Sequence, residues 1–317
     1  MSISVLLPRI LILVLIQAGM SGLAVAENIC QSDKVELQVL GSGGPEIDDG
    51  RASSSYIIWY QDKAKVIVDA GPGSSINFGL VEADFADLEA ILLTHLHVDH
   101  SADLPAFVKG SYFSDRNKPL HVLGPAANAL MPSTSVFLER LFGSEGAFVY
   151  LSDFLSGARG ANFKISSIDV PLLRDKIHTY PISDDVSLQS IFVHHGPVAA
   201  VAWRVNIAGC SISFSGDMSN RYQALGKLAM GSDLLVINNA IPEKAQGIAR
   251  NLHMPPSEIG KIAKQANVQK VLLSHFMKRT IHTQSQTLDI IGKFFDGNVI
   301  LAEDLKRVSL NNLSKIE

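Results

Sequence analysis

Beyond its first sixteen residues this 317-residue chain has no apolar run approaching the roughly 20 residues that a membrane span needs, so nothing further along is expected to anchor it in a bilayer. It lacks any lysine- or arginine-rich run as well. Its 27 basic and 31 acidic side chains leave a formal net charge of −4, which argues against bulk affinity for nucleic acid or other polyanions. Only two cysteines are present, Cys30 and Cys210, and without a Cys-x-x-Cys spacing they do not suggest a thiolate metal site. Internal repeats, low-complexity tracts and proline-rich linkers are missing too, which predicts one continuous domain over residues 27–317.

What is present begins with the amino terminus. Arg9 is the one charged side chain before a wholly apolar stretch, Ile10 to Ile16, and Ala24-Val25-Ala26 offers small residues at cleavage positions. That order predicts a secretory signal peptide, residues 1–26, cut before Glu27, leaving a secreted or periplasmic chain with no membrane attachment; an uncleaved anchor is the alternative. Cys30 follows no lipoprotein-type box of small residues. In an oxidising compartment Cys30 and Cys210 could pair, but two free thiols fit the sequence equally well.

The remaining pattern alternates short β-branched runs with helical stretches. Strands are expected at Val35–Leu40, Ser55–Tyr60, Lys65–Val68, Ala90–Thr94, Leu120–Leu123, Val186–Val193, Val198–Val205, Ser211–Ser215, Leu234–Asn238 and Lys270–Ser274. Helices are expected at Leu104–Phe113, Ser133–Phe142, Ser257–Ala266 and Gln286–Phe295. In the third, Ile259, Ile262, Ala263 and Ala266 fall at i, i+3, i+4 and i+7, a single core-facing stripe. Many strands with interspersed helices predict an α+β layered architecture.

The chemistry is concentrated at Thr94-His95-Leu96-His97-Val98-Asp99-His100, directly after the apolar run Glu89-Ala90-Ile91-Leu92-Leu93. In an extended segment alternate side chains point the same way, so His95, His97 and Asp99 are expected to converge at a strand end, with His100 turning in from the next segment. Two imidazoles suit a borderline-soft divalent ion, and a carboxylate with a further imidazole suits a second ion beside it. Four ligand-type residues within six positions are hard to explain as core packing.

This His-x-His-x-Asp-His run after a buried strand resembles the signature of the metallo-β-lactamase superfamily. Leu40-Gly41-Ser42-Gly43-Gly44 with Ser53 to Ile58, then Val68-Asp69-Ala70-Gly71-Pro72-Gly73, is similar to the opening hairpins of its zinc phosphodiesterase, ribonuclease Z-like branch. Lys118 to Pro125 resembles the strand that follows the signature helix. The resemblance implies a four-layer αββα sandwich with two divalent metals, expected to be zinc with manganese or iron as alternatives, at one edge of two sheets.

It also implies the other ligands. His195, in Phe192-Val193-His194-His195-Gly196-Pro197, matches the histidine that completes the first site with His95 and His97; the adjacent His194 is the alternative, since only one of two strand neighbours can face the metal. Asp217, in Phe214-Ser215-Gly216-Asp217, matches the carboxylate that bridges both ions. His275, in Leu272-Leu273-Ser274-His275-Phe276, matches the last ligand of the second site. His253 lies 22 residues before His275, an arrangement similar to transfer-RNA 3′-processing enzymes of the branch, whose corresponding histidine stands beside the reacting phosphate. The plainer reading of His253 is a helix-entry residue. Arg279 matches a position that could grip phosphate or sulfate oxygens, or it is a solvated loop cation. Asp69 is either a residue that orients a ligand histidine or a turn aspartate.

The implied mechanism is attack by a hydroxide bridging the two metals, with Asp99 and His253 taking part and His253 serving the leaving group. Two departures narrow the substrate. The long arm those enzymes carry after the third histidine has no counterpart, because Trp203-Arg204-Val205 runs through Asn206-Ile207-Ala208-Gly209 straight into the next strand. Where a glutamate often follows the bridging aspartate's neighbouring strand, Asn238-Asn239-Ala240 stands instead. The expectation is therefore an exported zinc phosphodiesterase acting on a small or nucleotide-like ester, with arylsulfatase, or lactone and β-lactam hydrolysis, as alternatives. A non-catalytic metal-binding protein fits least, the ligand set being complete. The loops Gly110 to Arg116 and Gly143 to Ala161 are expected to wall the pocket, and a homodimer remains open.

Overall fold

A computed structural model describes residues 1, 30, 33–158 and 160–310; the expected signal peptide falls outside them apart from Met1. Fourteen strands are found among the described residues. One sheet holds β1 (Val35–Gly41), β2 (Ser55–Tyr60), β3 (Lys63–Val68), β4 (Ala90–Leu92), β5 (Leu120–Pro125) and β6 (Ile165–Val170). The second holds β7 (Ile177–Pro181), β8 (Val186–His195), β9 (Val198–Ile207), β10 (Cys210–Phe214), β11 (Leu234–Asn238), β12 (Lys270–Ser274) and β13 (Asn298–Leu301). The last strand, β14 (Arg307–Ser309), returns to the first sheet and pairs with β1, giving the orders β14-β1-β2-β3-β4-β5-β6 and β13-β12-β11-β10-β9-β8-β7.

Each sheet changes direction halfway. β1 to β3 and β7 to β10 are antiparallel meanders, whereas β3 to β6 and β10 to β13 run parallel. The alternation of side chains along a strand builds the layers. On β2, Tyr56, Ile58 and Tyr60 enter the core between the sheets with Trp203 and Phe214, while Ile57 and Trp59 join Leu104, Phe107 and Leu138 under the helices on the outer face. A strand covered on both sides must be apolar throughout, and all six residues of β2 are buried. Helix Pro256–Gln265 covers the second sheet through the expected stripe of Ile259, Ile262, Ala263 and Ala266, all buried. These are the four layers of the expected α+β, αββα sandwich.

Several boundaries differ from the sequence expectation. The strand from Ala90 stops at Leu92 instead of Thr94, and the helix from Leu104 ends at Gly110, with a 3-10 turn over Ser111–Phe113. The last expected helix is shifted toward the amino terminus, Gln284–Ile291. No strand was expected where β6, β7, β13 and β14 form. Among the described residues no helix is long and apolar enough to cross a membrane.

Cys30 and Cys210 form a disulfide that ties the segment before β1 to the start of β10, across 180 positions of sequence. A cross-link closing so long a loop restricts the unfolded chain strongly, a contribution of about 3–5 kcal/mol. Cys210→Ser, or reduction of the native protein, is therefore expected to lower the unfolding free energy measured by urea titration by about 3–5 kcal/mol, with thiol titration confirming loss of the bridge.

Candidate metal centre

The seven expected ligands and Asp69 lie at or just beyond the carboxyl ends of strands, where the edges of the two sheets meet. Asp69 follows β3, His95 to His100 follow β4, His195 ends β8, Asp217 follows β10 and His275 follows β12. Sheet-to-sheet hydrogen bonds hold the two edges together: the Val201 amide donates to the Thr94 carbonyl at 2.8 Å, and the Trp203 indole donates to the Leu93 carbonyl at 3.0 Å. Main-chain groups freed at a strand end are thus satisfied across the sandwich, and the side chains beyond them converge.

Two groups of donors result, His95, His97, His195 and Asp217 in one, and Asp99, His100, Asp217 and His275 in the other, each with its ligand atoms within 4.8 Å of one another. In the first, His95 Nε2 lies 3.0 Å and His195 Nε2 3.4 Å from His97 Nδ1. In the second, His275 Nε2 lies 3.2 Å and His100 Nε2 3.5 Å from Asp99 Oδ2. Asp217 faces both. Its Oδ2 is 3.6 Å from His195 Nε2 and 4.0 Å from His95 Nε2, while its Oδ1 is 3.3 Å from His275 Nε2 and 3.7 Å from His100 Nε2. A carboxylate offers one oxygen to each side, which an imidazole cannot do.

The far side of each ring shows which nitrogen is left for a ligand. His195 Nδ1 donates to the Leu252 carbonyl at 3.0 Å, and His100 Nδ1 donates to Asp69 Oδ2 at 2.7 Å. Thr94 Oγ1 gives its own proton to Asp69 Oδ2 at 2.8 Å, so it accepts from His95 Nδ1 at 3.0 Å. In its neutral form each of these rings turns a bare Nε2 lone pair inward, the tautomer a metal requires. His100 Nε2 is buried there with no hydrogen-bond partner.

Electrostatics point the same way. Burial, reinforced by neighbouring imidazoles, keeps His95 well below its ordinary pKa and lowers His97 and His195, so these three stand neutral. Burial would raise Asp217 and Asp99, yet the surrounding histidines hold both carboxylates ionised. Against the burial that opposes it, the carboxylates drive His100 and His275 upward instead. Two buried carboxylates here demand positive charge. Protons on His100 and His275 supply it in the chain alone, and divalent cations supply it where the neutral histidines and carboxylates act as ligands, so the donor set fits two divalent metals.

All seven expected ligands, His95, His97, Asp99, His100, His195, Asp217 and His275, are brought together. The route differs for one of them. The segment after β4 is not extended as far as Asp99: His97 caps a helical turn, Val98–Ser101, and that turn carries Asp99 and His100 into the second group. Of the two adjacent histidines on β8, His195 faces the site. His194 points the other way, 2.7 Å from Ser219 Oγ and against the Tyr222 ring. Asp69 does orient His100 and, through Thr94, His95.

His253 lies on the seam of the two groups, its Nδ1 3.9 Å from Asp217 Oδ2 and its ring between those of His195 and His275. It is buried with that nitrogen unpartnered, and burial lowers its pKa to about 4, so the ring is neutral. Arg279 is exposed at the rim, its Nε donating to the Ala240 carbonyl at 2.6 Å, and its charge acts on His253. Asn238, standing where a glutamate was looked for, donates from Nδ2 to Asp217 Oδ1 at 2.5 Å. The cavity that reaches Asp99 is lined by neither of the loops Gly110 to Arg116 and Gly143 to Ala161. Arg116 is fully buried and donates to the Phe85, Leu88 and Pro119 carbonyls, and the cavity that reaches Asp99 is walled by residues 45–53 and 72–77. Gly44 was legible only as part of the Leu40 to Gly44 motif and not as a neighbour of the site: a Cβ there would stand 2.8 Å from His275 Cε1.

Comparison with known proteins places this geometry. The profile of the Metallo-beta-lactamase superfamily matches residues 48–225, more than half of the chain, and the protein belongs to that superfamily. Within it the resemblance is to the ribonuclease Z-like branch of metal-dependent hydrolases: ribonuclease Z of Mycobacterium marinum is 27% identical over 295 residues, covering 87% of this chain and 99% of that protein. Among solved structures, human tRNase Z, short form, superposes with a TM-score of 0.66 at 19% identity, covering 87% of this chain and 99% of that one. The metallo-beta-lactamase fold protein YhfI from Bacillus subtilis gives 0.65 at 20% identity with the same coverage.

Two substitutions test the construction. Gly44→Ala should push the His275 ring aside and reduce bound metal from two equivalents to one, read by elemental analysis of the purified protein. Asp69→Ala removes the acceptor that fixes His100 and Thr94; metal affinity in chelator competition should fall by about 10–100-fold.

Proposed function

We propose that the protein is an exported phosphodiesterase that hydrolyses a small phosphate diester at a dinuclear zinc centre. The observation that carries the reading is His253, an uncharged imidazole held at the junction of the two metal groups with no protein partner for its inward nitrogen. Two divalent ions, which His95, His97, His195, Asp99, His100, His275 and Asp217 would hold, would supply Lewis acidity at the reacting phosphate. The chain's own residues do the rest. Asp217 and Asp99 set the spacing and charge of the centre, and the Leu252 carbonyl, Thr94 and Asp69 keep the rings from turning. His253 offers an N–H to the phosphoryl or leaving-group oxygen, where a hydrogen bond strengthens as negative charge accumulates. Arg279, at the rim, is the cation that a non-bridging oxygen would meet.

Two features favour a small substrate outside the cell over RNA. β9 and β10 are joined by the two residues Ala208 and Gly209, which leaves no arm with which to grasp a polynucleotide. The Cys30–Cys210 bridge belongs to an oxidising compartment, which supports secretion or periplasmic residence.

The test is a panel on zinc-loaded protein: bis-p-nitrophenyl phosphate, p-nitrophenyl sulfate, cyclic AMP, a precursor transfer RNA and nitrocefin. Preferential hydrolysis of a phosphodiester is expected, whereas turnover of only the sulfate or the lactam would replace this reading. His253→Ala should lower diester kcat by about 10²–10⁴-fold while two metal equivalents remain bound; loss of metal instead would make His253 a ligand.

A further inference from the structure

The metal centre opens on one side into a cavity of about 600 Å³, with Asp99 in its inner wall and Pro45, next to the Gly44 that cradles His275, in its rim. Three aliphatic side chains line it while facing solvent: Ile47 is fully exposed, Val98 is 71% exposed and Ile76 is 69% exposed. Exposed large apolar side chains gathered beside a reactive centre have a cost in water that binding an apolar group removes. The charged groups of the same wall are already engaged. Arg51 Nη1 donates to Ser42 Oγ at 2.6 Å and to the Ala302 carbonyl at 3.3 Å, with its guanidinium over the Phe276 ring. Asp304 accepts from Ser42 and from the Ala52 amide, and Glu46 accepts from the Lys278 amide. Asp99 is committed to the metal centre, and the remaining charges of this wall, Glu46 and Asp304 against Arg51, give it no surplus of positive charge with which to hold a second phosphate.

His253, Arg279 and Arg250 do not line that cavity; His253 lies at the junction of the two metal groups and Arg250 Nη1 reaches its carbonyl. The geometry points to an oriented substrate: a phosphodiester whose anionic centre lies toward His253 and Arg279 and whose non-reacting ester group is uncharged and apolar, an aryl or branched alkyl group seated against Ile47, Ile76 and Val98. A nucleoside phosphate chain, polar and charged beyond the reacting phosphorus, does not fit that wall. This specificity rests on the phosphodiesterase reading of the centre.

Three diesters with the same p-nitrophenolate leaving group separate the two ideas: methyl, phenyl and thymidine-5′ p-nitrophenyl phosphate, with calorimetric binding of diphenyl and dimethyl phosphate in parallel. The phenyl ester should exceed the methyl ester in kcat/KM by at least about tenfold, the scale expected for filling an apolar pocket, and should exceed the thymidine ester as well. In the double variant Ile47→Ser, Ile76→Ser the phenyl-to-methyl ratio should fall toward one with metal content unchanged. Equal turnover of the three, a thymidine preference, or a phenyl preference that survives in the double variant would overturn the inference and leave the phosphodiesterase reading standing. If no diester is hydrolysed that reading fails, and binding then decides the cavity: diphenyl phosphate bound more tightly than dimethyl phosphate, and weakened by the substitutions, upholds it, and equal binding overturns it.

Discussion

The placement of two ionised carboxylates, Asp99 and Asp217, inside a buried nest of imidazoles is the constraint on which the rest of the structure turns. Neither acid can be there without nearby positive charge, because removing a lone carboxylate from water costs several kcal/mol. The sandwich meets that condition by directing strand ends from both sheets to one edge and by fixing the tautomer of each ring from behind. Leu252, Thr94 and Asp69 are as much part of the centre as the groups that face inward, since a rotated imidazole would offer a proton where a lone pair is needed.

That division explains what could be read from the sequence. Ligand-type residues announce themselves when crowded, as at positions 95 to 100, and the resemblance then recovers His195, Asp217 and His275. Supporting groups leave no such trace. The carbonyl that holds His195 belongs to Leu252, 57 positions away, and any residue could have supplied it. Gly44 matters for the side chain it lacks. The expected alternation through Asp99 gave the right neighbour for the wrong local reason, because a helical turn starting at Val98 brings Asp99 and His100 to the same place.

The strands followed the same logic of burial. Those recognised in advance are interior, their apolar runs imposed by cover on both faces. Those not recognised, β6, β7, β13 and β14, are the outer strands of the two sheets. β7 alternates exposed and half-buried residues throughout, and β14 buries only its middle residue, Val308, so neither needs an apolar sequence. Edge strands resist aggregation by being short and polar, and the same properties hide them from a search for hydrophobic period.

The pairing of β1 with β14 has a consequence for how the molecule is made. Glu36 sits opposite Ser309, and the Gly44 turn must meet His275, so the earliest part of the domain cannot be finished until almost all of it has been synthesised. Contacts of such long sequence separation are slow to form, which keeps a nascent chain open until β14 can pair. Truncation only a few residues short of Arg307 would then strip the first sheet of its border and leave β1 as a raw edge for other chains to join.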